Sequence, residues 1–168
     1  MLIDGGVTDF LEEELAAGYA GFAGMRADRF LYHGPPMALL DRVLEVGPDS
    51  AVCSCVVDEK NPFFCARQGV PAWIGIEFMA QSIAVSGGAR AVLAHEPLPL
   101  GFLLGTMAYH TRIDRFDPAA TYLAHCRSVV RDDHGLGAFD CTLSLGGETI
   151  AAARLTVKEL TGGEEIIA

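Results

Sequence analysis

VPAWIGIEFMAQSIAVSGGAR, residues 70–90, is the stretch around which the chain is organised. Between residues 73 and 85 only Glu77, Gln81 and Ser82 are polar, a run too long for an ordinary strand and too short to span a membrane. A helix that is apolar on nearly every side is a core helix covered by other elements. The sequence therefore predicts a buried central helix.

Both ends of this helix carry the expected residues. Pro71 suits the start, since it fixes φ and needs no backbone donor there. Gly87-Gly88 suits the end, and the alternative is a helix that continues towards Ala94.

Glu77 is the first residue to ask about, because it stands alone among apolar neighbours. Gln81 follows one turn later on the same helical face. A carboxylate in this setting is costly to bury unless it is paired or keeps its proton. The pattern leaves two interpretations open, a functional acid and a structural carboxylate paired with an arginine.

Composition excludes several classes of protein. The length of 168 residues suits one domain with a real core, and the net charge of −10 argues against a nucleic-acid binder. No apolar run reaches transmembrane length, and no signal peptide is evident. The high mean hydropathy of +0.30 therefore favours a subunit interface.

Five cysteines form an odd set without a C-x-x-C motif, which favours free thiols in a cytosolic protein. No phosphate loop, zinc signature or dinucleotide fingerprint is present, so we expect no metal and no cofactor.

Three regions are expected along the chain. Residues 1–24 carry five acids and no base and predict an acidic helical appendage, with Thr8 as its cap. Residues 25–160 form the domain, and residues 161–168 a flexible tail. An acidic partner would need a local basic patch, for which Arg67, Arg90, Arg112, Arg115, Arg127 and Arg131 are candidates.

The rest of the domain is predicted to be strands. Alternating patterns and turn signals place two strands before the helix and four after it. This order indicates an α+β fold with an antiparallel sheet curled around the helix. The predicted strands are 37–46, 50–57, 102–113, 121–130, 137–145 and 149–157.

Several motifs together resemble a known family. They are HGPPMALLDRV at 33–43, NPFF at 61–64, VPAW at 70–73, EFMAQ at 77–81, FLLG at 102–105 and GGET at 146–149. Their order resembles the hot-dog-fold 3-hydroxyacyl-(acyl carrier protein) dehydratases, most closely the dehydratase-like branch found in aryl polyene pigment clusters.

The resemblance assigns the family's helix acid to Glu77 and its polar, orienting neighbour to Gln81. The family's catalytic histidine sits in a loop before the helix, where this chain has CARQGV at 65–70 and no histidine. His33 is the first candidate for the missing base, and the alternative is a histidine that only caps its loop. Cys65 lies where the family histidine would be. A cysteine nucleophile is one interpretation of it, but no neighbouring histidine activates it in sequence, which favours an ordinary small loop residue.

The implied reaction removes water from a 3-hydroxyacyl thioester with one base and one acid. Backbone N–H groups of the turn Ala72-Trp73-Ile74 could face the thioester carbonyl. The acyl group would arrive on the phosphopantetheine arm of an acyl carrier protein. The residues expected to line the substrate site are Phe64, Cys65, Ala72, Trp73 and Phe78. For Trp73 and Phe78, ordinary core packing is an equally good interpretation.

Three functions remain open at this level. The first is a dehydratase in fatty or aryl polyene chain synthesis, and the retained Glu77 favours it. The second is a catalytically incomplete hot-dog subunit that forms a heterodimer with an active dehydratase, favoured by the missing loop histidine. A hot-dog thioesterase is a third. The resemblance implies either a homodimer or a heterodimer.

Overall fold

The structure, a computed structural model, describes residues 10–160 of the chain. Within that range it has two α-helices, α1 (Glu12–Ala16) and α2 (Gly75–Leu93). Short 3₁₀ turns span Gly18–Phe22, Ala27–Phe30 and Ala72–Ile74. The strands are β1 (Leu40–Val46), β2 (Ser50–Cys55), β3 (Val70–Pro71), β4 (Gly101–Thr111), β5 (Arg115–Phe116), β6 (Tyr122–Arg131), β7 (Leu136–Leu145) and β8 (Glu148–Glu159).

Six strands form one antiparallel sheet in the order β1-β2-β6-β7-β8-β4. One face of the sheet packs on α2, and alternate residues of β6 and β7, such as Ala124, Phe139 and Leu143, enter that core. The predicted α+β architecture, with a sheet curled around a buried helix, is confirmed.

Helix α2 continues past the two glycines that were one possible end. Gly88 is needed inside the helix, because a Cβ there would lie 2.1 Å from the carbonyl oxygen of Phe30. Its role is close approach to the 3₁₀ turn rather than termination. The longer alternative, a helix continuing towards Ala94, is therefore correct, since α2 ends at Leu93.

Strand β1 begins three residues later than the predicted residue 37. The carbonyl of Met37 and the N–H of Leu39 both bond to the side chain of Gln81, at 2.7 and 2.8 Å. These backbone groups therefore bind the central helix instead of a neighbouring strand.

The segment before the domain packs on it through aromatic rings. Phe22 is fully buried, and its ring centroid lies 4.9 Å from that of Phe30 and 5.7 Å from that of Phe10. Helix α1 lies between Phe10 and Phe22 in the chain, and Glu14 in α1 pairs with Arg29. Thr8 and the 161–168 tail lie outside the described residues.

A small second sheet was not predicted. β3 pairs with β5 through Val70–Phe116 and Pro71–Arg115, directly before the start of α2. Gly69 allows this pairing, because a Cβ there would lie 1.9 Å from the carbonyl oxygen of Phe116. Two-residue strands carry no periodic signal, so the sequence pattern could not reveal them.

Candidate active site along helix α2

Gln81 holds Glu77 in a defined position. The Gln81 amide nitrogen donates to Glu77 Oε1 at 2.8 Å and to the carbonyl of Met37 at 2.7 Å, and its oxygen accepts from the N–H of Leu39. Gln81 is 1% exposed and uses both ends of its amide. Gln81 lies one turn after Glu77 on the same helical face. It therefore links the Glu77 side chain to the loop before β1.

Glu77 is half-buried and opens into a cavity of about 130 Å³. Within residues 10–160 it forms no ion pair with a lysine or arginine, so its structural interpretation as an arginine-paired carboxylate finds no support there. The cavity is lined by His33, Glu77, Ala80, Gln81, Ile83, Ala84, Gly87, Pro99, Gly101, Phe102, Leu103, Val157 and Glu159.

The structure brings His33 and Glu77 to the same cavity. His33 lies in the loop between the 3₁₀ turn Ala27–Phe30 and β1, and it is exposed. The hydrogen bonds from Gln81 to this loop explain why the loop approaches the helix. An imidazole and a carboxyl group beside one cavity are a pair that can exchange protons with a bound ligand.

The start of the helix offers backbone donors. The N–H of Ala72 is bonded to the carbonyl of Asp114, and the N–H of Trp73 follows at the start of the 3₁₀ turn Ala72–Ile74, where a helix supplies no acceptor. Such groups, together with the helix dipole, attract an oxygen that gains negative charge.

Tyr109 on β4 fixes this turn and was missed by the sequence analysis. Its hydroxyl donates to the carbonyl of Ala72 at 2.6 Å, and burial raises the pKa of Tyr109. Gly75 makes room for it, since a Cβ at Gly75 would lie 2.2 Å from the Tyr109 hydroxyl. The glycine inside an apolar run was the one available signal.

The loop that replaces the family's histidine loop is a tight turn. Cys65 and Gly69 exchange two backbone hydrogen bonds of 2.9 Å, and Arg115 donates to the carbonyl of Gln68. Cys65 is exposed and free, and it does not line the cavity with Glu77. Arg67 adopts a left-handed conformation here, with a φ of 66°.

The predicted lining residues separate into two groups. Phe78 is fully buried, with its ring centroid 5.2 Å from that of Phe116, so it belongs to the core. Trp73 is 61% exposed and packs edge-on against Phe63, and Ala72 and Phe64 lie beside this pair in the chain. Trp73 lies one turn before Glu77 and outside the cavity described above.

Buried cysteines and His125 do not line this cavity. Burial raises the pKa of Cys53 to about 12 and that of Cys126 to about 11, so both remain protonated thiols. His125 on β6 contacts Ser144 Oγ through Nε2 at 2.8 Å, and burial lowers its pKa while nearby Glu45 opposes the shift. All five cysteines are free, as predicted.

Two other kinds of feature are absent from residues 10–160. No three side chains of His, Cys, Asp or Glu come close enough together to hold a metal ion. No helix in this part of the chain is both long and apolar enough to cross a bilayer.

A family model matches most of the chain. The model of the ApeP-like dehydratases (ApeP dehydratase) matches residues 25–167, which is most of the chain. The chain belongs to the ApeP-like dehydratase family. Among curated proteins, none matches it.

Several solved structures are similar to this chain. The dehydratase heterocomplex ApeI:P from Xenorhabdus doucetiae is 28% identical, with a TM-score of 0.76 over 83% of this chain and 94% of that one. The TT0310 protein of Thermus thermophilus is 16% identical, with a TM-score of 0.57 over 76% of this chain and 99% of that one. A mutant of the thioesterase PA1618 from Pseudomonas aeruginosa is 14% identical, with a TM-score of 0.50 over 71% of this chain and 80% of that one.

These matches confirm the hot-dog fold and the resemblance to the dehydratase-like branch of aryl polyene clusters. This ApeP-like chain is a hot-dog dehydratase-like protein of aryl polyene synthesis. The two matches below 25% identity support the fold alone.

Proposed function

We propose that this ApeP-like protein is a 3-hydroxyacyl-(acyl carrier protein) dehydratase that works as one subunit of a hot-dog heterodimer. The observation that carries the proposal is the Gln81-anchored carboxyl group of Glu77, which shares a cavity with His33. The family assignment supports the reaction class.

The proposed reaction needs one proton removed and one delivered. A base, with His33 as the candidate in this chain, takes a proton from C2 of the acyl group. Glu77 gives its proton to the 3-hydroxyl, the C3–O bond breaks, and water leaves as the C2–C3 double bond forms. The N–H of Trp73 stabilises the charge that develops on the thioester oxygen.

Strand β4 is the proposed edge for the second subunit. It ends the six-stranded sheet, and nearly all of its residues are exposed. Its apolar side chains Phe102, Leu103, Leu104 and Met107 are 43%, 40%, 59% and 94% exposed. An edge with free backbone groups and apolar side chains favours pairing with another strand. The ApeI:P heterocomplex supports a second hot-dog dehydratase as the partner.

The proposed substrate arrives on an acyl carrier protein in the cytoplasm, and the proposal includes no other cofactor. Arg67 and Arg115 lie beside the start of α2, because Arg115 is paired with Pro71 and bonded to Gln68. Arginine is well suited to bind a phosphate group such as that of the phosphopantetheine arm. Trp73 and Phe63 would then contact the arm as it enters.

Turnover by the purified protein tests the proposal. The chain is purified alone and together with a hot-dog dehydratase encoded nearby, each is given a 3-hydroxyacyl carrier protein, and loss of water is followed by mass spectrometry. The proposal expects dehydration by the complex. Release of free acid would identify a thioesterase instead, and no reaction of either kind by the complex would contradict the proposal.

A non-catalytic supporting subunit is the second candidate, favoured by the turn at 65–69, which holds no histidine. In that case the complex dehydrates its substrate, but its rate is the same whether Glu77 of this chain is intact or replaced. The dehydration rate of a complex that carries a Glu77 substitution in this chain therefore distinguishes the two candidate functions.

A further inference from the structure

The cavity beside Glu77 extends along one face of α2. Ala80, Ala84 and Gly87 follow Glu77 at intervals of three or four residues, so they share its helical face. The distance from Glu77 to Gly87 corresponds to about 15 Å along a helix. The small side chains leave space for a ligand along this distance.

The opposite wall is apolar. Leu103 and Phe102 of β4, Val157 of β8 and Pro99 before β4 line it. An apolar groove with a proton-transferring pair at one end fits an extended hydrocarbon chain, with its functional group beside Glu77.

The other end of the groove is narrow and charged. A Cβ at Gly87 would lie 3.5 Å from Glu159 Oε2, 3.5 Å from Pro99 Cγ and 3.8 Å from Arg90 Nη2. Arg90 donates from Nη2 to both carboxylate oxygens of Glu159 at 2.9 Å. A methyl group therefore just fits at Gly87, and anything larger would meet the ion pair.

We propose that Gly87 and the Arg90–Glu159 ion pair set the greatest acyl chain length that this groove accepts. A hydrocarbon chain that reaches the pair would take water from two charges that are 29% and 31% exposed. Removing hydration from charges is costly, so the pair ends the apolar site. The inference rests on the proposed function, since the ligand is the 3-hydroxyacyl group.

Two substitutions are expected to change the length limit in opposite directions. Gly87→Leu fills the far end, so kcat/KM for the longest substrates falls about tenfold or more while that for the shortest stays within about twofold. The double variant Arg90→Ala/Glu159→Ala opens the end, so chains longer than the wild-type limit are accepted. Gly87→Ala gives a smaller loss than Gly87→Leu.

The experiment uses the complex with saturated 3-hydroxyacyl carrier proteins of increasing length. Ala94→Leu is the control for a leucine added at the end of the same helix, at an exposed position outside the groove. Arg154→Ala is the control for a lost ion pair, because Arg154 pairs with Asp140 away from the groove. Neither control should change the ratio of long-chain to short-chain turnover.

Binding is measured in parallel by titration calorimetry with unreactive pantetheine amides of the same 3-hydroxy acids. This readout does not depend on turnover, so the length limit is tested even where the complex fails to dehydrate. A parallel loss at all lengths in Gly87→Leu, no gain in the double variant, or no binding of any amide would overturn the inference. If Gly87→Leu loses activity at all lengths, or the double variant gains none, dehydration by the wild-type complex would still leave the proposed function intact.

Discussion

Gln81 connects the helix, the catalytic candidate and the loop that carries His33. It is buried, and its amide satisfies the N–H of Leu39 and the carbonyl of Met37 as well as Glu77. The same side chain therefore supports both the fold and the position of the carboxylate.

Replacing Gln81 by alanine should destabilise the protein. Gln81→Ala leaves the two loop backbone groups without partners, and we expect the free energy of unfolding to fall by roughly 1–3 kcal/mol. Urea unfolding followed by circular dichroism measures the change. Gln68→Ala, at an exposed position, is the control and should change stability by less than about 0.5 kcal/mol. Equal stability of Gln81→Ala and the wild type would contradict this account.

His125 should make stability depend on pH. Burial lowers its pKa from the usual 6.5, so the unfolded chain takes up a proton before the folded chain does. Stability from this group is complete above the unfolded pKa and falls as pH drops through it. Between about pH 7.5 and about pH 5.5, His125→Gln should lose less stability than the wild type. A steeper loss of stability in His125→Gln than in the wild type over this range would contradict the prediction.

At the residue scale, helical spacing predicted the contacts between residues that are close in the sequence. Glu77 and Gln81 are four residues apart, and helix geometry alone puts them side by side. Tyr109 could not be found in this way, because its bond to Ala72 joins residues 37 positions apart in different elements. The catalytic roles of Glu77 and His33 stay predictions.

Helix α2 is the element that positions the site, and its two glycines have different surroundings. A Cβ at Gly88 would collide with the backbone of Phe30, whereas at Gly87 the nearest atoms are 3.5 Å away. The pair therefore allows a comparison within one turn of one helix.

We expect Gly88→Ala to lower the free energy of unfolding by about 1–3 kcal/mol, because the backbone of the 3₁₀ turn must shift. Gly87→Ala should leave stability unchanged or raise it by up to about 1 kcal/mol, since alanine favours helix. Thermal and urea unfolding of both variants measure the two changes in the free energy of unfolding. Equal effects of the two substitutions would show that the helix does not contact the turn as described.

Hydrophobic periodicity predicted which segments are helix and which are strand. It did not predict every residue at which these elements begin and end. The six long strands and the helix have clear patterns, but the start of β1 depends on Gln81, which is distant in sequence. The β3–β5 pair depends on contacts between segments that are far apart in the sequence. Periodicity reports burial within an element and says little about partners elsewhere in the chain.

At the scale of the whole molecule, edge strand β4 exposes the apolar side chains that a second subunit would bury. A lysine at Met107 would place a charge on the exposed apolar edge and disfavour strand pairing. We expect Met107→Lys to weaken the complex with the second hot-dog subunit about tenfold or more in Kd, measured by light scattering and titration.

Val130→Lys is the matched control, because Val130 is a 61% exposed apolar residue on β6, away from this edge. It should leave complex formation unchanged. Loss of the complex in Val130→Lys but not in Met107→Lys would place the interface elsewhere.

The most direct test of the account is the activity of the complex with Glu77→Gln in this chain alone. Glutamine keeps the size of the side chain but cannot donate the proton, so we expect dehydration to fall by about 10²–10⁴-fold while the complex still forms. Glu148→Gln, at the exposed first residue of β8, is the control and should keep full activity. Full activity of a correctly assembled Glu77→Gln complex would contradict a catalytic role for this chain and identify it as a supporting subunit.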